Sequence, residues 1–186
     1  VIPQRKKDPI VFDTDEQPRQ TSMEALSKLK PVFRTDGKGK VTAGNSCGRS
    51  DCGAALLLMS GEKVRELGVK PMAKIIGQAI VGVDPKLMGI GPVSAVRKVL
   101  AKTGLQLDDI GMIELNEAFA AQSLAVINEL GLDRSRVNVS GGAIALGHPL
   151  GATGARILTT LVHGMKRTGT KYGIATLCMG GGQGGA

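Results

Sequence analysis

Residues 91–130 read GPVSAVRKVLAKTGLQLDDIGMIELNEAFAAQSLAVINEL, and this stretch decides the fold. Its first part, 93–103, is predicted to be a helix, because a proline precedes it, a glycine follows it, and lysine and arginine occupy one face. The apolar run at 110–115 is typical of a strand, and 117–130 returns to a helical pattern. A helix, a strand and a helix in succession predict a layered α/β domain.

The same alternation continues on both sides of this stretch. Toward the C-terminus we predict a short strand at 137–140, a long helix at 151–167 and a last apolar strand at 172–178. Toward the N-terminus we predict a helix at 22–30 with Met23, Leu26 and Leu29 inward, a buried strand at 52–59, a helix at 62–67 and a strand at 73–83. We therefore expect an α/β fold with a mixed sheet covered by helices.

Composition narrows the class of protein. The chain has 186 residues, a formal net charge of +8, 42% hydrophobic and only 2% aromatic residues, and 27 glycines. The length suits one compact domain or one domain with an appendage. No apolar stretch is long enough for a membrane span, and the opening VIPQRKKDP is unlike a signal peptide. The positive charge suits a nucleic acid, a membrane surface or a phosphorylated small molecule, but the scarcity of aromatic residues disfavours nucleic acid.

Three cysteines, an odd number without a C-x-x-C pair, indicate neither a disulfide scaffold nor a zinc site. We expect reduced thiols in an intracellular compartment and no metal. Cys52 lies among apolar residues and is predicted to be part of the core. Cys47 lies in a polar turn, where it could contact a ligand.

Polar residues and glycines cluster at the junctions between predicted strands and helices, where ligands gather in open α/β sheets. The four clusters are VTAGNSCGRSDCG (41–53), ELNEAFA (114–120), SGGAIALGHPLGATGAR (140–156) and CMGGGQG (178–184). His148 is either a buried histidine satisfied by the backbone or a general base near a helix N-terminus. Cys178 is either core packing or an acid/base thiol beside an oxyanion site formed by the glycine run. His163 is expected on the outer face of its helix.

The junction after the strand at 110–115 also has two interpretations. Asn116 either caps the following helix or holds a water or a carbonyl in the site. Glu117 either caps the same helix or braces the site from behind, and Phe119 stands where it could wall an acyl or pantetheine pocket. The glycine strings do not fit a dinucleotide-binding fingerprint, and no Walker lysine motif is present.

Taken together, VTAGN, GVDPKLMGIGPV, NEAFAAQ, GGAIALGHPLGATGAR and CMGGGQG resemble the thiolase family, its acetyl-CoA acetyltransferases and 3-ketoacyl-CoA thiolases. The resemblance extends to RKKDPIVFDTDEQPRQTS near the start. It implies that residues 1–40 are the end of a loop domain contacting coenzyme A. Residues 41–186 would then be the C-terminal half of a thiolase fold, truncated at its last strand after GGGQG.

The resemblance also implies roles for single residues. Cys178 matches the acid/base cysteine, His148 the histidine that activates the nucleophile and donates to the thioester oxygen, and Asn116 the holder of a water in that oxyanion hole. Gly180 matches the backbone N–H of a second oxyanion hole. The remaining matches concern the acyl pocket and the coenzyme: Phe119, Phe33, Arg19, Ala43 and Cys47. Thiolases usually carry serine where Cys47 stands, which would weaken one pantetheine contact.

The expected activity is Claisen condensation of two acetyl-CoA, or its reverse, with broader 3-ketoacyl-CoA cleavage in fatty-acid metabolism as the alternative. Coenzyme A thioesters would be substrates, with no tightly bound cofactor. No residue matches the family's acylated nucleophilic cysteine, so we expect this chain alone to be inactive without an N-terminal half. A non-catalytic lipid-binding module and a nucleic-acid binder are the competing hypotheses. The resemblance further implies a homodimer or homotetramer, located in the cytoplasm, or in mitochondria or peroxisomes in a eukaryote.

Overall fold

A computed structural model describes all 186 residues. The chain forms six α-helices and four short strands. The helices are α1 Met23–Ser27, α2 Gly61–Leu67, α3 Gly91–Thr103, α4 Ala120–Leu130, α5 Ala143–Leu146 and α6 Thr153–Thr168. The strands are β1 Ile80–Gly82, β2 Met112–Leu115, β3 Gly173–Met179 and β4 Gln183–Gly185.

The four strands form one mixed sheet in the order β1-β4-β3-β2. Strands β2 and β3 run parallel, whereas β4 runs antiparallel to both β3 and β1. The carboxyl ends of β2 and β3 therefore meet at the same edge of the sheet, which is the usual place for a ligand site in this class of fold. The predicted α/β architecture with a mixed sheet is confirmed.

Helices cover both faces of the sheet. The main core lies between the sheet and α3 and α4, where Val96, Val126, Ile113 and Ile174 are almost fully buried. Neighbouring positions on β2 point to the other face, and there α6 packs so closely that a Cβ added at Gly164 would lie 2.6 Å from the Met112 sulfur. No helix is both long enough and apolar enough to cross a membrane.

Most of the predicted elements are confirmed, with small shifts at their ends. Helices predicted at 62–67, 93–103, 117–130 and 151–167 correspond to α2, α3, α4 and α6, and the strands predicted at 110–115 and 172–178 correspond to β2 and β3. The glycines predicted to stop helices do so in the left-handed conformation, as at Gly104 with φ of 72°. The helix predicted at 22–30 is shorter, and Met23 is 81% exposed rather than inward.

The buried strand predicted at 52–59 is wrong. The segment has no regular secondary structure, and Leu57 is 85% exposed. Cys52 is likewise exposed instead of forming part of the core. An apolar sequence is not sufficient for a strand, because a strand also needs a neighbour for its backbone hydrogen bonds. None of the four strands pairs with residues 52–59.

Three other strand predictions differ from the structure. Of the predicted strand 73–83, only residues 80–82 form a strand, β1, and 137–140 contributes one isolated bridge from Val137 to Ile113. No strand was expected beyond Cys178, yet β4 forms immediately after the glycine turn. Its glycines have little intrinsic strand preference; pairing with strands on both sides stabilises it.

Candidate active site

The carboxyl-terminal edge of β2 and β3 brings the predicted site residues together. Asn116 directly follows β2, is fully buried, and donates its backbone N–H to Thr176 O at 3.0 Å. Cys178 lies near the end of β3, two residues beyond Thr176, and is 7% exposed. The parallel pairing of the two strands thus places an amide and a thiol at one sheet edge.

His148 reaches the same edge from the loop between α5 and α6. Its backbone N–H donates to Gly48 O at 2.8 Å, which fixes the GHP turn against the segment Ser46–Arg49. The imidazole contacts side chains on both nitrogens: Nε2 lies 3.4 Å from Asn116 Nδ2, and Nδ1 lies 2.7 Å from Thr153 Oγ1. The predicted histidine and asparagine are therefore direct neighbours.

The segment Ser46–Arg49 contacts both the loop after β2 and the loop that carries His148. Cys47 donates its backbone N–H to Ala118 O at 3.2 Å, and Ser46 forms an isolated bridge with Phe119. Arg49, at the other end, bridges to His148. Cys47 is consequently held half-buried beside the NEAFA loop, as a ligand-contacting turn residue would need to be.

Glu117 braces these loops from behind. Its carboxylate accepts from Asn138 Nδ2 at 2.9 Å and from the backbone N–H of Ile144 at 3.0 Å. The approach is so close that a Cβ at Gly142 would lie 2.1 Å from the Glu117 carboxyl carbon. Of the two interpretations of Glu117, the structure supports bracing, since the bonded amide belongs to α5 and not to α4.

One polar atom at the centre of the site lacks a partner. Asn116 Oδ1 is buried and has no hydrogen bond, although its amide nitrogen faces His148. An unsatisfied buried acceptor is costly, so the site accommodates a donor at this point. A water or a ligand N–H or O–H group would satisfy it.

Burial and nearby charge set the protonation of the two titratable groups, His148 and Cys178. Burial, followed by the positive charge of Arg156, lowers the pKa of His148 below its usual 6.5. Burial also raises the pKa of the Cys178 thiol, and the neighbouring Cys47 raises it further. At neutral pH the site therefore holds a neutral imidazole, which can accept a proton, and a protonated thiol, which can donate one.

Two aromatic rings stand beside this edge. Phe33 and Phe119 pack edge to face, with ring centroids 5.8 Å apart and an interplanar angle of 86°. Phe33 is still 69% exposed, so one side of the pair faces open space. The pair forms a ready apolar wall next to the loop that carries Asn116.

The glycine turn between β3 and β4 is open. Gly180 is exposed, and a Cβ placed on it would meet no atom within 4 Å. Gly181 and Gly182 follow with φ of 83° and 88°, a conformation that favours glycine. Backbone at Gly180 is thus accessible to a ligand.

Two predicted binding residues lie farther out. Ala43 begins a short 3₁₀ turn, Ala43–Asn45, and is exposed. Arg19 is exposed and has no hydrogen bond or ion pair with the other site residues. Gln17 instead reaches the site loops, because its side chain lies against Gly48 and donates to Ile144 O at 3.5 Å.

Sequence reasoning missed Thr153, Glu114 and Arg156. Glu114 is 1% exposed, and burial, opposed by the charge of Arg156, raises its pKa to about 7. The available signals were the alternation of β2, which turns Glu114 toward α6, and the position of Thr153 in the first turn of α6, five residues after His148. No group of three or more His, Cys, Asp or Glu side chains is arranged to hold a metal ion.

Comparisons with known proteins identify related domains and sequences. The family model for the thiolase C-terminal domain matches residues 69–186, and that for the thiolase N-terminal domain matches residues 1–62. An acetyl-CoA acetyltransferase of Pseudomonas aeruginosa is 60% identical over 184 residues, which are 98% of this chain and 46% of that protein.

Solved structures give the same result. The crystal structure of the Bacillus anthracis acetyl-CoA acetyltransferase superposes with a TM-score of 0.84 at 49% identity, covering 99% of this chain and 46% of that one. Human mitochondrial 3-ketoacyl-CoA thiolase in complex with CoA superposes with a TM-score of 0.84 at 47% identity, covering 94% and 44%. The chain spans about half the length of the relatives it matches. With a thiolase domain model matching more than half of its residues and the motif residues assembled at one sheet edge, the chain belongs to the thiolase family.

Proposed function

We propose that the protein carrying this chain transfers acetyl groups between coenzyme A thioesters, interconverting two acetyl-CoA with acetoacetyl-CoA and CoA. The observation that carries the proposal is the assembly of His148 and Asn116 in contact, with Cys178 at the same sheet edge. An imidazole, a thiol and an orphaned amide oxygen supply a proton acceptor, a proton donor and a binding point for a water, which are the needs of carbon–carbon bond formation through an enolate.

In this reaction Cys178 exchanges a proton with the α-carbon of the second acetyl-CoA. In the cleavage direction its thiol, kept protonated by its raised pKa, donates that proton to the departing carbanion. In the condensation direction the thiolate removes it. The N–H of Gly180, in the open turn after β3, would stabilise the oxyanion of the same substrate.

His148 and Asn116 serve the other thioester. The neutral imidazole of His148 accepts the proton of a cysteine nucleophile through Nε2 and then, as imidazolium, donates a hydrogen bond toward the thioester oxygen until the proton passes to the departing thiolate of coenzyme A. Asn116 Oδ1, which is buried without a partner, would hold the water that completes this oxyanion site.

The acylated nucleophile would come from outside this chain. Cys178 and Cys47 lie in the site and Cys52 is exposed, and the motif resemblance matches none of the three to the family's nucleophile. Only residues 1–62 match the N-terminal domain model. We propose that the remainder of that domain supplies the nucleophilic cysteine and pairs with the exposed apolar residues 52–59, which were expected to be a strand.

The coenzyme would lie along the outer residues. Phe119 and Phe33 would wall the acyl and pantetheine channel, Ala43 and Cys47 would contact pantetheine, and Arg19 would approach the nucleotide phosphates. The formal net charge of +8 favours such an anionic substrate. No tightly bound cofactor is required, and coenzyme A enters as part of the substrates.

A broader 3-ketoacyl-CoA thiolase is the second candidate. The human mitochondrial 3-ketoacyl-CoA thiolase superposes on this chain as well as the acetyltransferase does. We further propose a domain boundary between residues 40 and 41 and assembly as a homodimer or homotetramer. The proposed location is the cytoplasm, or mitochondria or peroxisomes in a eukaryote.

The test is thiolysis by the full-length protein that contains this chain. Wild type should cleave acetoacetyl-CoA with CoA, and Cys178→Ala should lose about 10²–10⁴-fold in kcat, the range of general acid–base catalysis. Cys52→Ala is the matched control, since this thiol belongs to the segment 52–59 and not to the site. Faster turnover of long-chain 3-ketoacyl-CoA would favour the second candidate. Unchanged turnover in Cys178→Ala would contradict the role of Cys178, and no thiolysis by wild type would support a non-catalytic lipid-binding module.

A further inference from the structure

Thr153 is the first residue of α6 and is fully buried beneath His148. Its hydroxyl lies 2.7 Å from Nδ1 of His148 and donates to the backbone oxygen of Pro149 at 2.9 Å. Both contacts are within the normal range for hydrogen bonds. The hydroxyl therefore connects the imidazole to the rigid first turn of a long helix.

The hydrogen of the hydroxyl decides which ring nitrogen of His148 is protonated. A hydroxyl has one hydrogen and two lone pairs. Pro149 O can only accept, so the 2.9 Å contact uses the single hydrogen of Thr153. The hydroxyl oxygen then presents a lone pair to Nδ1, and the hydrogen of the 2.7 Å contact belongs to Nδ1.

The other side of the ring agrees with this assignment. A neutral imidazole with its hydrogen on Nδ1 has a lone pair on Nε2, and the group that faces Nε2 is the donating amide nitrogen of Asn116, 3.4 Å away. The positive charge of Arg156, one turn along α6, favours the neutral ring over imidazolium. An acceptor faces Nδ1 and a donor faces Nε2, so both neighbours select the same tautomer.

We propose that Thr153 is a positioning residue that holds His148 in the tautomer with hydrogen on Nδ1, and so leaves Nε2 bare toward the reacting groups. The importance of this tautomer rests on the proposed function, because only an Nε2 without a hydrogen can accept the proton of the nucleophile. Thr153 itself touches no substrate and acts through the imidazole.

The primary test is a nitrogen NMR spectrum of the full-length protein with isotope-labelled histidine side chains. The signals of His148 are identified by their loss in His148→Asn. Wild type should show a protonated Nδ1 and a bare Nε2. Thr153→Val should move the tautomer ratio toward hydrogen on Nε2 by about fivefold, the size expected for one neutral hydrogen bond. Thr153→Ser keeps a hydroxyl and should restore the wild-type ratio.

The chain offers a matched control on the same helix. Thr160 also donates its hydroxyl to the backbone four residues earlier, Arg156 O at 3.1 Å, but its hydroxyl contacts no imidazole. Thr160→Val therefore makes the same chemical change in α6 and should leave the His148 spectrum unchanged. In thiolysis, Thr153→Val should lower kcat by up to about fivefold, in step with the tautomer ratio, with little change in KM, whereas Thr153→Ser should be close to wild type.

A wild-type spectrum with hydrogen on Nε2 would overturn the inference even if Thr153→Val failed to fold. Equal effects of Thr153→Val and Thr160→Val on the spectrum would also overturn it, as would a serine variant no better than the valine variant. If wild type showed the expected tautomer but no thiolysis, the proposed function would fail while the role of Thr153 remained.

Discussion

The side-chain amide of Asn116 lies 3.4 Å from Nε2 of His148, although 32 residues separate them along the chain. Asn116 is fixed by the end of β2, and His148 by the loop before α6 and by the backbone of Gly48. The contact therefore depends on the sheet, a helix and the Ser46–Arg49 segment together. It leaves Asn116 Oδ1 as a buried acceptor open to a further donor.

Replacing Asn116 with alanine should lower kcat for thiolysis by about 10²–10³-fold, the usual cost of removing one oxyanion-site group. The amide that faces His148 and the oxygen that would hold a water both disappear in Asn116→Ala. Asn128→Ala is the control, because Asn128 is exposed on α4. Steady-state kinetics of the full-length variants measure the effect, and a change below threefold in Asn116→Ala would contradict the role.

In the pH profile of kcat/KM, the midpoint of the acid limb should lie below pH 6.5, because burial and the charge of Arg156 lower the pKa of His148. The neutral imidazole, which is the active form, then persists as the pH falls through 6.5 and is lost only at lower pH. Removing the cation in Arg156→Met should move this limb to higher pH. A wild-type limb above pH 6.5, or a limb that moves to lower pH in Arg156→Met, would argue against this electrostatic account.

Glu117→Gln should destabilise the fold by about 1–3 kcal/mol, since the two donors face different carboxylate oxygens and an amide replaces one of these with an NH2 group, which cannot accept. The donors are Asn138 Nδ2 and the N–H of Ile144. Glu129→Gln, which breaks only an exposed ion pair with Arg97, should cost no more than about 1 kcal/mol. Urea unfolding monitored by circular dichroism compares the two, and equal losses would show that Glu117 is not a brace.

Glu114 should make the fold less stable as the pH rises. Its pKa is raised from 4.5 to about 7 in the folded protein, so between these values the unfolded chain loses its proton while the folded chain keeps it. Stability then falls across that window by about 3 kcal/mol, at 1.36 kcal/mol per pKa unit. Denaturant unfolding of wild type and Glu114→Gln from pH 4 to 8 measures this effect as the difference between their free energies of unfolding. An unchanged difference over the range would refute it.

Local sequence patterns predicted the helices and strands that need no partner from outside this chain. Helices α2, α3, α4 and α6 have apolar faces and glycine stops, and β2 and β3 have each other as neighbours. The run at 52–59 has the same apolar character but no pairing strand, and the three residues of β4 have a partner on each side but no apolar character. Pairing, which the local pattern does not contain, decided both cases.

The candidate site was predictable to a similar extent. The motifs identified His148, Asn116 and Cys178, because such side chains at strand ends are unusual. Thr153 and Glu114 were missed because a threonine in the first turn of a helix and a glutamate in a short strand look ordinary. Their importance comes from what they contact or from their burial.

The central claim is that Cys178 exchanges a proton with the α-carbon of the substrate while another cysteine carries the acyl group. The most direct measurement is deuterium exchange at the α-carbon of acetyl-CoA in heavy water, recorded beside acylation of the protein by radiolabelled acetyl-CoA. Full-length Cys178→Ala should still become acylated but should lose the α-hydrogen exchange that wild type shows. Exchange at the wild-type rate in Cys178→Ala, or loss of acylation with an intact fold, would contradict the account.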